Sequence, residues 1–335
     1  MEQTELSSQS SRVIPATCGL SKQVGTICAL VLLSLPFSAL EVSAQSSFFS
    51  TVRSYSSGSV QSTSIQTPLR PLAKTRSRMT SGWQEGHKSR ARIIAGDSNF
   101  AASRTTHAGV HLQIAPGWKT YWRSPGDVGV PPSFDWKGSR NLQSIRIKWP
   151  APKAYKDAYS TSIGYKHEVI LPLEITAQDQ SKPVDVKLRF DYGICADICV
   201  PVESKLKLTI PIHQSGFKTL LSRYQSRVPK SVKSTGKEVN GFSIRKVTVN
   251  LKGKRPRITI DASVPDNTKK AELFAEASNG FYLPLPVGER PSAGNRRRFH
   301  IDLTKSDPVK KLHGKVLALT LVGDKAGIEY KMKIN

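Results

Sequence analysis

Between Val184 and Ile210 the chain alternates with a period of two on both sides of a short turn. Val184, Val186, Leu188, Phe190, Tyr192 and Ile194 hold even positions, as do Val200, Val202, Leu206, Leu208 and Ile210 beyond it. Odd positions carry Asp185, Lys187, Arg189 and Asp191, then Lys205 and Lys207. Successive side chains of a strand point to opposite faces, so the pattern predicts a hairpin with even residues on a core and odd residues toward water. Shorter alternations, such as Val110-His111-Leu112-Gln113-Ile114 and Ile145-Arg146-Ile147-Lys148-Trp149, are separated by Pro and Gly. They predict half-buried strands of a β-sandwich.

No long helical period interrupts the strands. A short helix around Phe217 to Tyr224 is expected to lead out of the first domain, within a linker over 213–238 whose later part is rich in Lys and Ser. A second, smaller β unit is expected over 239–335. Val247, Val249 and Leu251 alternate, then Ile258 and Ile260. Leu317, Leu319 and Leu321 face Ile328, Tyr330, Met332 and Ile334 across a Gly323-Asp324-Lys325-Ala326-Gly327 turn, which predicts a closing hairpin. This unit has no cysteine and no cluster of His, Asp and Glu, and reads as a scaffold or docking surface.

The amino terminus changes the cellular setting. Arg12 and Lys22 precede an apolar run from Gly25 to Leu40, and Val42-Ser43-Ala44 supplies small residues at cleavage spacing. Residues 1–44 therefore read as a signal peptide cut after Ala44, with an uncleaved anchor as the alternative, and the mature chain is placed in an oxidising periplasm. Residues 45–90, rich in Ser and Thr with scattered Arg and Lys, read as a flexible basic tether. Cleavage removes Cys18 and Cys28, leaving two of the four cysteines. It moves the formal charge from +25 to +26, because the segment carries two basic and three acidic side chains. The basic residues are spread over alternating strands, not clustered with stacking aromatics, and export argues against a nucleic-acid partner. A solvated surface, with peripheral contact to anionic membrane, is the expected use of the charge.

The remaining pair, Cys195 and Cys199, falls on the polar-face parity, which predicts an accessible pair facing each other across Ala196-Asp197-Ile198. A disulfide closing so short a loop contributes only about 2 kcal/mol on the chain-entropy estimate, against about 4.7 for a hundred-residue loop. Spacing alone leaves a redox pair and a structural staple equally open. Asp191 and Asp197 would raise the thiol pKa values, while Arg189 and Lys205 would lower them. Two thiolates fall short of a structural zinc site, and no metal or other cofactor is expected; a copper-handling or protein-binding envelope module stays as the alternative. No nucleophile-elbow pattern supports Ser/His/Asp catalysis.

Three stretches carry a family resemblance: Tyr192-Gly193-Ile194-Cys195-Ala196-Asp197-Ile198-Cys199-Val200-Pro201, the run from Pro116-Gly117-Trp118 to Ser124-Pro125-Gly126, and Trp149-Pro150-Ala151-Pro152 leading on to Gly164-Tyr165-Lys166-His167-Glu168. Over residues 91–212 the chain resembles the periplasmic amino-terminal domain of the thiol:disulfide interchange protein DsbD family, in its ScsB-like branch. A weaker likeness to the second sandwich domain of ScsB-like proteins covers 239–335. The resemblance implies an all-β fold, an immunoglobulin-like β-sandwich followed by the smaller sandwich. It implies that Cys195 and Cys199 relay electrons to or from exported thioredoxin-fold proteins, as a protein-disulfide reductase or electron-relay component. It matches Tyr121 to an aromatic beside the pair, and Asp157-Ala158-Tyr159 to an acidic, aromatic-tipped cap loop. Ala158 stands where the shielding aromatic is expected, leaving Tyr159 as the cap candidate, and the family's founding domain has a wider cysteine spacing. The family's membrane helices and thioredoxin domain have no counterpart in this sequence, so a separate membrane electron transporter is an expected partner.

Overall fold

The alternation over 184–210 does form a hairpin, and the rest of the first domain is arranged around it. A computed structural model describes residues 79–157, 160–266, 268–289, 294–324 and 326–335, all in one compact unit, Pro71–Asn335. The expected signal peptide and most of the expected tether lie outside the described residues. In chain order the strands begin β1 (Gln84–Gly86), β2 (Ser89–Ala95), β3 (Ser98–Asn99), β4 (Thr105–Ile114) and β5 (Lys119–Gly126). Next come β6 (Ser133–Asp135), β7 (Leu142–Ile147), β8 (Lys153–Lys156), β9 (Thr161–Lys166) and β10 (Glu168–Ala177). The hairpin strands β11 (Val184–Cys195) and β12 (Cys199–Ile210) follow, then β13 (His213–Gln214).

One sheet has the order β1-β2-β4-β10-β7, the other β12-β11-β5-β9-β8 with β6 also paired to β11; β13 pairs with β3. The even residues of β11, Val184 through Ile194, are all buried in the core between the sheets. Phe134, Phe190 and Tyr192 stack along it, with ring centroids 5.0 and 4.5 Å apart. These sheets form the first sandwich of an all-β, immunoglobulin-like fold.

Two boundaries differ from the sequence expectation. Residues 79–90 belong to the sandwich and not to the tether: Met79 is buried, its carbonyl accepts from Ala95 N–H at 2.8 Å, and Ser81 N–H donates to Ile93 O at 2.9 Å. The segment 213–238 is structured. It holds helix α1 (Lys218–Gln225), whose Leu221 and Tyr224 pack on Ile94 and Ile170. That helix covers the outer face of β4 and β10, which is why these strands are buried on both sides where alternation predicted one wet face. The same segment supplies β14 (Lys230–Val232) to the second sandwich.

The second sandwich continues with β15 (Ser243–Asn250), β16 (Arg257–Ser263), β17 (Glu272–Ala277), β18 (Val287–Gly288), β19 (Arg296–Asp302), β20 (Val316–Val322) and β21 (Gly327–Lys333). Its sheets run β14-β21-β20-β17 and β15-β16-β19-β18. β20 and β21 form the predicted closing hairpin, with Val322 opposite Gly327, and Leu317, Leu319, Leu321 and Ile328 are fully buried. Phe274 and Val322 of this sandwich join the core of the first.

Candidate functional site

Ala196 N–H donates to the Ile198 carbonyl at 3.0 Å across the tip of the long hairpin. Cys195 and Cys199 are register partners on either side of this turn, with Cα atoms 4.2 Å apart and a disulfide between them. Parity predicted that both sulfurs are accessible. Cys199 is exposed, but Cys195 is only 2% exposed. The cause is a strand distant in sequence. β5 pairs with β11 at Thr120–Ile194 and Lys119–Cys195, and Thr120 Oγ1 donates to Gly193 O at 2.8 Å. Tyr121, next along β5, then covers the odd face of β11.

The Tyr121 hydroxyl donates to Cys195 Sγ at 2.7 Å and lies 3.1 Å from Cys199 Sγ. Two glycines make room for its ring. A Cβ at Gly193 would stand 3.1 Å from Tyr121 Cε2, and one at Gly129 would collide with the opposite ring edge. Gly129 also has φ +119°, a backbone region that favours glycine. Burial first, and then the charge of Asp157, push the Tyr121 hydroxyl above its ordinary pKa. It therefore stays protonated, and able to donate, at neutral pH.

Asp157 itself is exposed and closes a tight loop: its Oδ1 accepts from Ser160 N–H at 2.7 Å and its N–H donates to Ser160 O at 3.0 Å. Ala158 and Tyr159, the expected cap, lie outside the described residues. Asp197 is exposed in the turn between the cysteines. Arg189 is near Asp191 and Glu203, at 3.5 and 4.0 Å, and Lys205 pairs with Glu203 at 2.9 Å. The structure thus brings Tyr121, Cys195 and Cys199 into contact, with Asp157 close enough to act on Tyr121 through its charge. Sequence reading missed Gly129 and Gly193; a glycine within a strand, as at Gly193, is the signal for close approach of another group.

Beside Cys199 opens a mainly apolar groove of about 570 Å³, lined by Tyr121, Val130, Pro131, Val200 and Pro201. Val130 in the groove lining and Ile198, the turn residue before Cys199, are both about two-thirds exposed.

A second polar cluster lies on the other sheet. His111 on β4 is 2% exposed, and its Nε2 is 2.7 Å from Glu168 Oε1. Arg92 Nε donates to His111 Nδ1 at 3.2 Å, so Nδ1 is the acceptor and Nε2 carries the proton given to Glu168. Tyr224 of α1 donates to Glu168 Oε2 at 2.8 Å, and Gln113 Nε2 to Oε1 at 3.2 Å. Burial, aided by Arg92 and Arg90 against the opposing pull of Glu168, lowers the His111 pKa. Burial works to raise that of Glu168, but hydrogen bonds from His111, Tyr224 and Gln113 outweigh it and hold it below the usual range.

The fold and site define a β-sandwich that carries a disulfide across the tip of its long hairpin, one cysteine open and one covered by a tyrosine. Residues 90–211 match the family model described as thiol:disulfide interchange protein DsbD, N-terminal. The resemblance read from the motifs is borne out over that segment. The crystal structure of the N-terminal periplasmic domain of ScsB from Proteus mirabilis is similar, with TM-score 0.59 and 20% sequence identity, covering 77% of this chain and 99% of that one. That likeness supports the fold of both sandwiches. Among curated proteins, none matches the chain by sequence. No helix among the described residues is long and apolar enough to cross a membrane, which says nothing of β-barrels.

Proposed function

We propose that the protein is an exported, periplasmic thiol–disulfide exchange component that relays electrons through Cys195 and Cys199 to or from thioredoxin-fold partners. The family match over residues 90–211 supports interchange as the chemistry. The observation that carries the reading is the unequal exposure of the two sulfurs under one tyrosine hydroxyl.

Cys199 Sγ is the atom a partner can reach. A partner thiolate attacks it, forming a mixed disulfide and releasing Cys195 as a thiolate that accepts the Tyr121 hydrogen bond. The partner's second thiolate then attacks the partner sulfur of the mixed disulfide. The partner leaves oxidised, and Cys199 leaves as a thiolate. Two electrons have passed to this chain, whose dithiol repeats the sequence in reverse on the disulfide of a second exported protein. The apolar groove beside Cys199 accommodates the docked segment, and a separate membrane electron transporter is the proposed donor.

Trapping tests the reading. Cys195→Ala leaves Cys199 unable to resolve, so it should accumulate mixed disulfides with thioredoxin-fold envelope proteins; Cys199→Ala should capture none. Equal absence of adducts from both variants would sink the relay, as would a midpoint potential well below about −300 mV, beyond the reach of thioredoxin-type carriers.

A further inference from the structure

Tyr121 begins a run, Tyr121-Trp122-Arg123, whose other members are held by the second sandwich. Arg123 donates to Glu276 through Nε, at 3.1 Å to Oε1 and 3.0 Å to Oε2, and through Nη2 at 2.7 Å to Oε2. The same Nη2 meets Glu329. All three side chains are mostly buried. Glu276 lies on β17 and Glu329 on β21, on either side of β20. The guanidinium also lies 4.5 Å from the centroid of the Trp122 ring, which meets Phe274 of β17 at 5.7 Å.

A further tie reaches the loop after β5. The Tyr282 hydroxyl donates to Asp127 Oδ1 at 3.3 Å, while Asp127 Oδ2 accepts from Thr161 N–H at 3.1 Å. Two residues on, Gly129 sits against the Tyr121 ring. Both segments that enclose Tyr121 are thus anchored on the second sandwich, β5 through Arg123 and the loop through Asp127.

The geometry points to the second sandwich as a brace for the sulfur site, with Arg123 as a positioning residue that acts through Tyr121. An apolar contact between domains tolerates sliding. A guanidinium held by carboxylates from two strands does not, because charge-assisted hydrogen bonds fix direction as well as distance. The hydroxyl so fixed stabilises a thiolate more than a disulfide sulfur, since the thiolate is the stronger acceptor. Loosening the brace therefore shifts the pair toward the disulfide and moves thiolate formation to higher pH. The exchange reading gives this tuning its purpose, but the sulfur chemistry is measurable without any partner protein.

The test uses the full chain and its Arg123→Met variant, with folding followed by circular dichroism and thermal unfolding. Equilibration with glutathione should show the variant shifted about threefold toward the disulfide, and iodoacetamide trapping of the reduced pair should move up by about half a pH unit, the share of one net hydrogen bond. In a Tyr121→Phe background the same substitution should move neither value, because the residue it acts through is already silent. Should Arg123→Met fail to fold, Glu276→Gln and Tyr282→Phe carry the test, with smaller shifts of the same sign. Unchanged sulfur chemistry in folded variants, or a shift that persists in the Tyr121→Phe background, overturns the assignment. Neither result depends on whether a redox partner is ever captured.

Discussion

Tyr121 and Tyr224 each set a hydroxyl against an acceptor in the first sandwich, a disulfide sulfur in one case and a carboxylate in the other, and their surroundings make the two clusters opposite in character. Around Tyr224 the groups close on one another. Glu168 accepts from His111, Tyr224 and Gln113, and His111 is bonded at both ring nitrogens. Around Tyr121 the frame is as tight, held by Gly129, Gly193 and β5, yet one sulfur faces water. The difference is one of access. Both are preorganised, and only the second leaves an atom for something outside to reach.

Substitution of Glu168 should separate the clusters most sharply. Glu168→Leu strands His111 and Tyr224 without an acceptor and should cost about 2 kcal/mol of stability, read by denaturant unfolding, with dithiol alkylation unchanged. A change in alkylation would show that the clusters are coupled. Acidification should act on the same side. His111 has a folded pKa below its unfolded value near 6.5, so the unfolded chain binds more protons and the stability is fully present only above that pH. It is lost as pH falls below about 6.5 toward the lowered folded value. Glu168, also lowered, adds a loss below its ordinary range. Unfolding curves between neutral and acidic pH should show the first loss, and His111→Phe should flatten it. The smallest effect belongs to Tyr121→Phe, which removes one donor from the sulfurs without opening a cavity. It should slow alkylation at neutral pH by about fivefold, equivalent to about 1 kcal/mol, and leave the unfolding curve nearly fixed.

Much of this is legible in the sequence. The even-numbered apolar residues of 184–194 are buried as their period required, and the three-residue turn set Cys195 opposite Cys199. The closing hairpin of β20 and β21 followed from the same reasoning. The failures share a cause: alternation describes a strand and its own two faces, and is silent on what arrives from elsewhere. Cys195 is covered by Tyr121, 74 residues away in sequence. His111 lies at a position that alternation marks as polar, yet it is buried, with the Trp83 ring 4.8 Å from its own and Tyr224 of α1 on its partner Glu168. Lys230–Val232 is too short and polar to announce a strand, and takes its form from β21.

That short strand bears on how the chain can be divided. β14 runs parallel to β21, pairing Lys230 with Ile328 and Val232 with Tyr330, and buries Val232 in the second core. A fragment cut at residue 239 would leave the backbone donors and acceptors of Ile328–Tyr330 bare on the side that β14 pairs. Such an unprotected margin is a template for self-association. A carboxy-terminal piece that begins before Lys230 keeps that margin paired, and should stay monomeric in sedimentation where one begun at residue 239 associates.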